Sequence, residues 1–152
     1  MLRPCTENEF YEYVDFAFAL AADPTKSGYP SCCDGIKTGA DFVERSRKAF
    51  AREDEELLLF ETEGEVQGLI RYFWLPEDRC LETISFCVNQ AAEQALSEFL
   101  ARLAARFPGF DLFLGFPAEN TAAVSFLTAQ GFACIEDDRN NTAFSATERR
   151  AL

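Results

Sequence analysis

Residues 82–107 constrain this chain more than any other stretch. Glu82-Thr-Ile-Ser-Phe-Cys-Val88 is an apolar, β-branched run that reads as a buried strand. It passes through Asn89-Gln90-Ala91-Ala92-Glu93-Gln94 into a segment where Ala92, Ala95, Leu96, Phe99, Leu100, Leu103, Ala104 and Phe107 recur at helical spacing, stopped by Pro108-Gly109. Such a wide apolar stripe must pack one face of the helix on a sheet. A strand running straight into a helix leaves unpaired backbone N–H groups and a positive dipole end at the junction, so the junction is a place to look for an anion site. Phe110, Leu112, Leu114 and Phe116 then alternate on one face as a second strand. Strand, helix, strand makes a crossover unit, which sets this strand parallel to the one ending at Val88.

The rest of the chain fits around that unit. Leu2-Arg3-Pro4-Cys5 is a short first strand, and Thr6 with Glu9 is a capping-box signature before a helix with Phe10, Tyr13, Val14, Ala17, Phe18 and Ala21 at helical spacing. Asp23-Pro24 ends that helix, and residues 25–37 read as a long loop, either functional or an ordered surface connection. Thr38 with Asp41 opens a second helix with an apolar face of Phe42, Val43, Ala49 and Phe50. Its Arg45, Arg47, Lys48 and Arg52 read as a solvated outer face. Residues 56–61, 66–75 and 81–88 form a meander through Glu63-Gly64-Glu65 and Pro76-Glu77-Asp78, with Gly68 marking a close approach or bulge. Asn120-Thr121 caps a short helix that Gly131 ends, and residues 132–135 and 142–146 make a final hairpin. The order β-α-α-β-β-β-α-β-α-β-β implies an α/β fold, with a mixed, mostly antiparallel sheet flanked by helices in one domain spanning 1–152.

Charge and composition narrow the chemistry. The formal net charge of −12 repels phosphate backbones, which argues against nucleic acid as a partner, and suits a cationic amine. No apolar stretch is long enough to cross a membrane, and the N-terminus lacks a signal peptide's apolar segment, so a cytoplasmic location is expected. The absence of histidine removes the commonest general base, Cys-His and Ser-His nucleophiles and most zinc sites, and no metal site is read. The six cysteines contain no CxxC. With only Cys32-Cys33 adjacent, they are expected to be reduced and mostly buried.

This order, together with Asn120-x-x-Ala123-x-x-Phe126-Leu127-x-x-x-Gly131-Phe132, resembles the GCN5-related N-acetyltransferase (GNAT) family. Its signature is N-x-x-A-x-x-F-Y-x-x-x-G-F, and its members transfer an acyl group from coenzyme A to an amine. The resemblance implies acetyl-CoA as cofactor, held by strand backbone at Cys87 and Val88, by the junction at Gln90 and Ala95, and by Asn120. It implies a small amine as acceptor. Two positions depart from the pattern. The family's Q/R-x-x-G-x-G/A cradle for the pyrophosphate here reads Gln90-Ala91-Ala92-Glu93-Gln94-Ala95, with a carboxylate where the central glycine stands. Leu127 occupies the place of a tyrosine that protonates the departing thiolate, and leucine has no proton to donate.

With no histidine, a base for the amine would be a carboxylate. Glu82 on the strand leading into the junction, or Asp34 in the long loop, is the candidate, and Tyr29, Asp34, Tyr72 and Trp74 are candidate acceptor-pocket residues. Two functions stay open at this stage. One is an acetyl-CoA-dependent N-acetyltransferase acting on a small amine. The other is a catalytically degenerate GNAT-fold binding or interaction domain, one half of a tandem protein partnered with a second GNAT-like domain.

Overall fold

Alternating apolar residues along consecutive runs build the centre of the molecule. The computed structural model describes residues 1–28, 38–136 and 146–151. In chain order the elements are β1 (Leu2–Pro4), α1 (Glu7–Ala21), β2 (Ser27–Gly28), α2 (Gly39–Arg47) with a 3-10 turn at Lys48–Ala51, β3 (Glu55–Thr62), β4 (Glu65–Leu75), β5 (Cys80–Val88), α3 (Ala92–Arg106), β6 (Asp111–Phe116), α4 (Thr121–Ala129), β7 (Ala133–Glu136) and β8 (Ala146–Ala151). The sheet runs β1-β3-β4-β5-β6-β8-β7, with β2 attached to β5 outside that path. The pair β5–β6 is parallel, as a crossover through α3 requires, and the other strand pairs among the described residues are antiparallel.

Both capping boxes form. The Thr6 hydroxyl accepts from the Glu9 amide and the Thr38 hydroxyl from the Asp41 amide, while each N3 carboxylate returns the bond to the cap's backbone N–H. The sheet divides the core into two layers. Leu58, Phe60, Ile70, Tyr72, Phe86 and Val88 pack under α3 and α4, whereas Leu57, Leu59, Leu69 and Cys87 pack under α1 and α2. The period-2 alternation of strand side chains sends neighbours such as Cys87 and Val88 into opposite layers.

Two irregularities shape the end of the sheet nearest α3. Phe60 pairs with Gly68 but Glu61 pairs with Val66, so Gln67 is bulged. A Cβ at Gly68 would lie 2.4 Å from the Cys87 carbonyl oxygen, the close approach expected of this glycine. Ile84 is the second bulge, because Arg71 pairs with Ser85 and Tyr72 with Thr83.

The sequence expectation needs two corrections. A strand, β2, lies within the stretch read as loop, because a two-residue strand carries no periodicity. The final strand is described over Ala146–Ala151 and so runs past the expected end at 146: its charged Glu148-Arg149-Arg150 lacks apolar alternation, yet it pairs with β6 along all six residues from Asp111 to Phe116. Residues 142–145 lie outside the described residues.

Candidate functional site

The fork between β5 and β6 is the candidate site. The two strands pair only at Cys80↔Asp111, Leu81↔Leu112 and Glu82↔Phe113; beyond Glu82 they part, and β6 continues with β8 on its other side. Residues 83–88 of β5 therefore have an edge that β6 does not cover. Backbone N–H and C=O groups on such an edge need partners.

The partners come from the chain itself. β2 enters the fork antiparallel to β5, with Ser27 opposite Cys87 and Gly28 opposite Phe86. The Val88 amide donates to the Lys26 carbonyl at 3.1 Å. Lys26 Nζ donates to both the carbonyl and the side-chain oxygen of Asn89, each at 2.7 Å, and so ties the segment to the β5–α3 junction. From the opposite wall, Asn120 Nδ2 donates to the Ser27 carbonyl at 3.1 Å, while Asn120 Oδ1 accepts from the Ala123 amide at the start of α4. Asn120 is 2 % exposed and Ser27 fully buried.

The approach to β2 is itself a built turn. Asp23 Oδ1 accepts from the Thr25 hydroxyl at 2.6 Å and the Thr25 amide at 2.9 Å, bonds that hold the Asp23 carboxyl below its ordinary value. The Asp23 carbonyl accepts from the Lys26 amide at 3.1 Å and from the Ser27 hydroxyl at 2.9 Å. This arrangement uses the short side chains of Asp, Thr and Ser as local backbone partners.

Around this centre the expected site residues fall into separate groups. Cys87 and Val88 lie on the edge that β2 covers. The Cys87 side chain is buried beneath α1, and burial pushes its thiol up to about 12. Glu82 stands exposed at the base of the fork, at its last paired position. Gln90 is exposed at the junction and Ala95 is buried one turn into α3. Tyr72 and Trp74 are not brought to the fork's open end. Tyr72 is fully buried under α3, its hydroxyl donating to the Glu56 carboxylate, and burial followed by that bond raises its pKa. Trp74 packs on Phe107 with the Arg106 guanidinium 4.5 Å from its ring. Tyr29 and Asp34, with the Cys32-Cys33 pair, lie outside the described residues.

The β5–α3 junction has an unusual backbone and an acidic first turn. Ala91 takes a left-handed conformation at φ 58°, and no side chain caps α3. Glu93 is exposed in the first turn of the helix, where a carboxylate answers the dipole that an anion would use. A cavity of about 610 Å³ lies beside the junction, lined by Gln90, Ala91 and Gln94 together with Glu61 and Glu63, so carboxylates border it too. Lys26 reaches the junction and is bonded to Asn89, and Met1, whose ammonium is bonded to the Glu61 carbonyl and paired with Glu98, also lines the cavity. Sequence reasoning missed Lys26, Ser27 and Gly28; the Asp-x-Thr turn signal was present, but nothing local tells of a partner 63 residues away.

Strand order, the fork between two parallel strands and the helix leaving it define the fold of the GNAT N-acetyltransferases. Among solved structures, a ribosomal-protein-alanine N-acetyltransferase from Brucella melitensis matches over 100% of this chain and 99% of its own, with TM-score 0.67 and 15% identity. The spermidine/spermine N-acetyltransferase SpeG from Vibrio cholerae matches over 99% and 92%, with TM-score 0.68 and 14% identity. A putative acetyltransferase from Salmonella typhimurium, solved with its cofactor acetyl-CoA, matches over 100% and 93%, with TM-score 0.68 and 12% identity. At such identities the likeness is one of fold. No family model and no curated protein matches the sequence. No helix among the described residues is long and apolar enough to cross a membrane.

Proposed function

We propose that this chain is a catalytically degenerate GNAT-fold domain that works by binding or interaction, spanning 1–152 as one unit, with a second domain of the same fold as the partner class. The observation that carries this reading is the double commitment of the fork: the Val88 amide is bonded to Lys26 and the Asn120 carboxamide to Ser27. These are the groups the resemblance would assign to coenzyme A, and neither is available to it. The residues present therefore do not fit the cofactor. Leu127, fully buried under the sheet where the resemblance expects a proton donor, supports the same reading, as does Glu93 at the first turn of α3.

A second reading is favoured by the persistence of the fork itself. An acetyl-CoA-dependent N-acetyltransferase acting on a small amine would have Glu82, exposed at the fork's base, as its candidate base. Thermal melts with and without millimolar acetyl-CoA separate the two. Binding at 100 times Kd adds about 2.7 kcal/mol by mass action, or a rise in Tm on the order of 5 °C or more for a chain of this size. The degenerate reading expects no rise. A rise of that size, with acetyl transfer to a polyamine or an aminoglycoside, overturns it.

A further inference from the structure

We propose that residues 86–88 of β5 and the Asn120 carboxamide form one slot for an extended chain, that the molecule fills it with its own residues 26–28, and that this occupant is what denies the slot to a pantetheine arm. The proposal rests on the closed fork described above and adds the cause of closure.

The occupant meets the slot as a linear amide ligand would. Its carbonyls at Lys26 and Ser27 accept from groups on opposite walls, the Val88 amide of β5 at 3.1 Å and Asn120 Nδ2 at the N-terminus of α4 at 3.1 Å. Successive carbonyls of an extended strand point to opposite sides, so a strand between two walls bonds both without distortion. The residue types suit the task. Gly28 presents no side chain, and Ser27 turns its hydroxyl back onto Asp23, so neither adds bulk to the fork. Asn120 is the more telling partner. Its oxygen alone would cap α4; burying its amide nitrogen as well requires an acceptor inside the fork, and the Ser27 carbonyl is that acceptor.

Lys26 serves as the latch. Its ammonium makes two bonds to Asn89, at the position where β5 gives way to α3, and these are the segment's charged contacts to the β5 wall of the slot. The backbone bonds of 26–28 are ones that a pantetheine amide can replace, whereas the Lys26 bonds are specific to this occupant. Removing them shifts the balance toward an open slot without touching its walls.

The test uses the full chain, Lys26→Ala and Lys26→Ala/Ser27→Ala, with coenzyme A as probe in isothermal titration and hydrogen exchange at the Val88 amide read by NMR. The wild type is expected to give no binding heat at millimolar coenzyme A. The variants are expected to bind, with Val88 exchange faster by on the order of tenfold for the charged bonds lost. Equal binding by wild type and variants overturns both this proposal and the degenerate reading. No binding by a folded variant whose Val88 amide has become fast leaves the degenerate reading standing and overturns this one, because the slot is then open and still refused. Unchanged Val88 exchange in a folded variant also overturns it. If the double variant does not fold, Lys26→Ala alone carries both readouts.

Discussion

Gly68→Ala probes the close packing behind the fork. A Cβ added there would meet the Cys87 carbonyl oxygen at 2.4 Å, Val88 Cγ2 at 2.8 Å and Val88 Cα at 3.0 Å. Two of these atoms are backbone, so β5 has to move, and overpacking of this kind costs roughly 1–3 kcal/mol. Alanine also lowers the entropy of the unfolded chain, which returns about 0.4–1 kcal/mol. Taking the upper part of the first range leaves a net loss of about 2 kcal/mol. At about 2–4 °C per kcal/mol for a chain of this length, Tm falls by about 4–8 °C. Circular dichroism melts with urea titrations at constant m measure it. Gly64→Ala is the control: φ there is +83° with nothing within 4 Å of the new Cβ, so it carries backbone strain of roughly 1–2 kcal/mol and no clash. Because Val88 is the residue displaced, faster exchange of its amide should accompany the loss. A Gly68→Ala protein that melts at or above the wild-type temperature would refute the packing argument.

Leu127→Tyr restores a phenol at the position where the resemblance expects one. Leu127 is fully buried among α3, α4 and the sheet, so the larger side chain is expected to cost roughly 1–3 kcal/mol and to yield no acetyl transfer in a thiol-release assay. A variant of wild-type stability that releases coenzyme A would contradict both parts. Acidification is expected to weaken the fold. The Arg3 guanidinium holds the Glu61 carboxyl below its ordinary value, the Thr6 cap does so for Glu9, and Gln94 does so for Glu98. Each folded pKa lies below the unfolded one, so the stabilisation is complete above about pH 4.5 and is lost as pH falls through the folded values. Urea midpoints should therefore drop between about pH 6 and pH 3.5; a constant or rising midpoint would show that relief of charge repulsion wins instead.

Elements with strong periodicity were legible from the chain alone. The α3 stripe from Ala95 to Leu103, the meander through β3, β4 and β5, the parallel β5–β6 pair and both Thr-led capping boxes follow from patterns that local physics imposes. The fork itself is not legible in the sequence: Val88 and Asn120 stand there only as expected cofactor positions, and nothing in the pattern says that residues 26–28 lie between them. Ser27 and Gly28 form a strand only because β5 offers a bare edge, and a two-residue pairing with a partner some sixty residues away leaves no trace in hydropathy. Tyr72 and Trp74 show the reverse case. Their aromatic surfaces suggested a pocket, whereas Glu56, Arg106 and Phe107 use them to fasten α3 to the sheet.

The tether of β2 has a quantitative consequence for any ligand. Residues 26–28 follow α1, which ends at Ala21, so the occupant is joined to a packed helix by a few residues held in the Asp23 turn. A competitor on so short a tether acts at an effective concentration of millimolar or above, however dilute the protein. A free molecule must outcompete it, and its apparent Kd is its intrinsic Kd divided by the fraction of molecules with the slot vacant. If seating the tethered strand is worth about 3 kcal/mol, a micromolar ligand is observed as one of roughly 100 micromolar or weaker. Vacancy of the slot thus sets how tightly any ligand must bind before this domain registers it, while the chemistry of the walls still ranks one ligand against another.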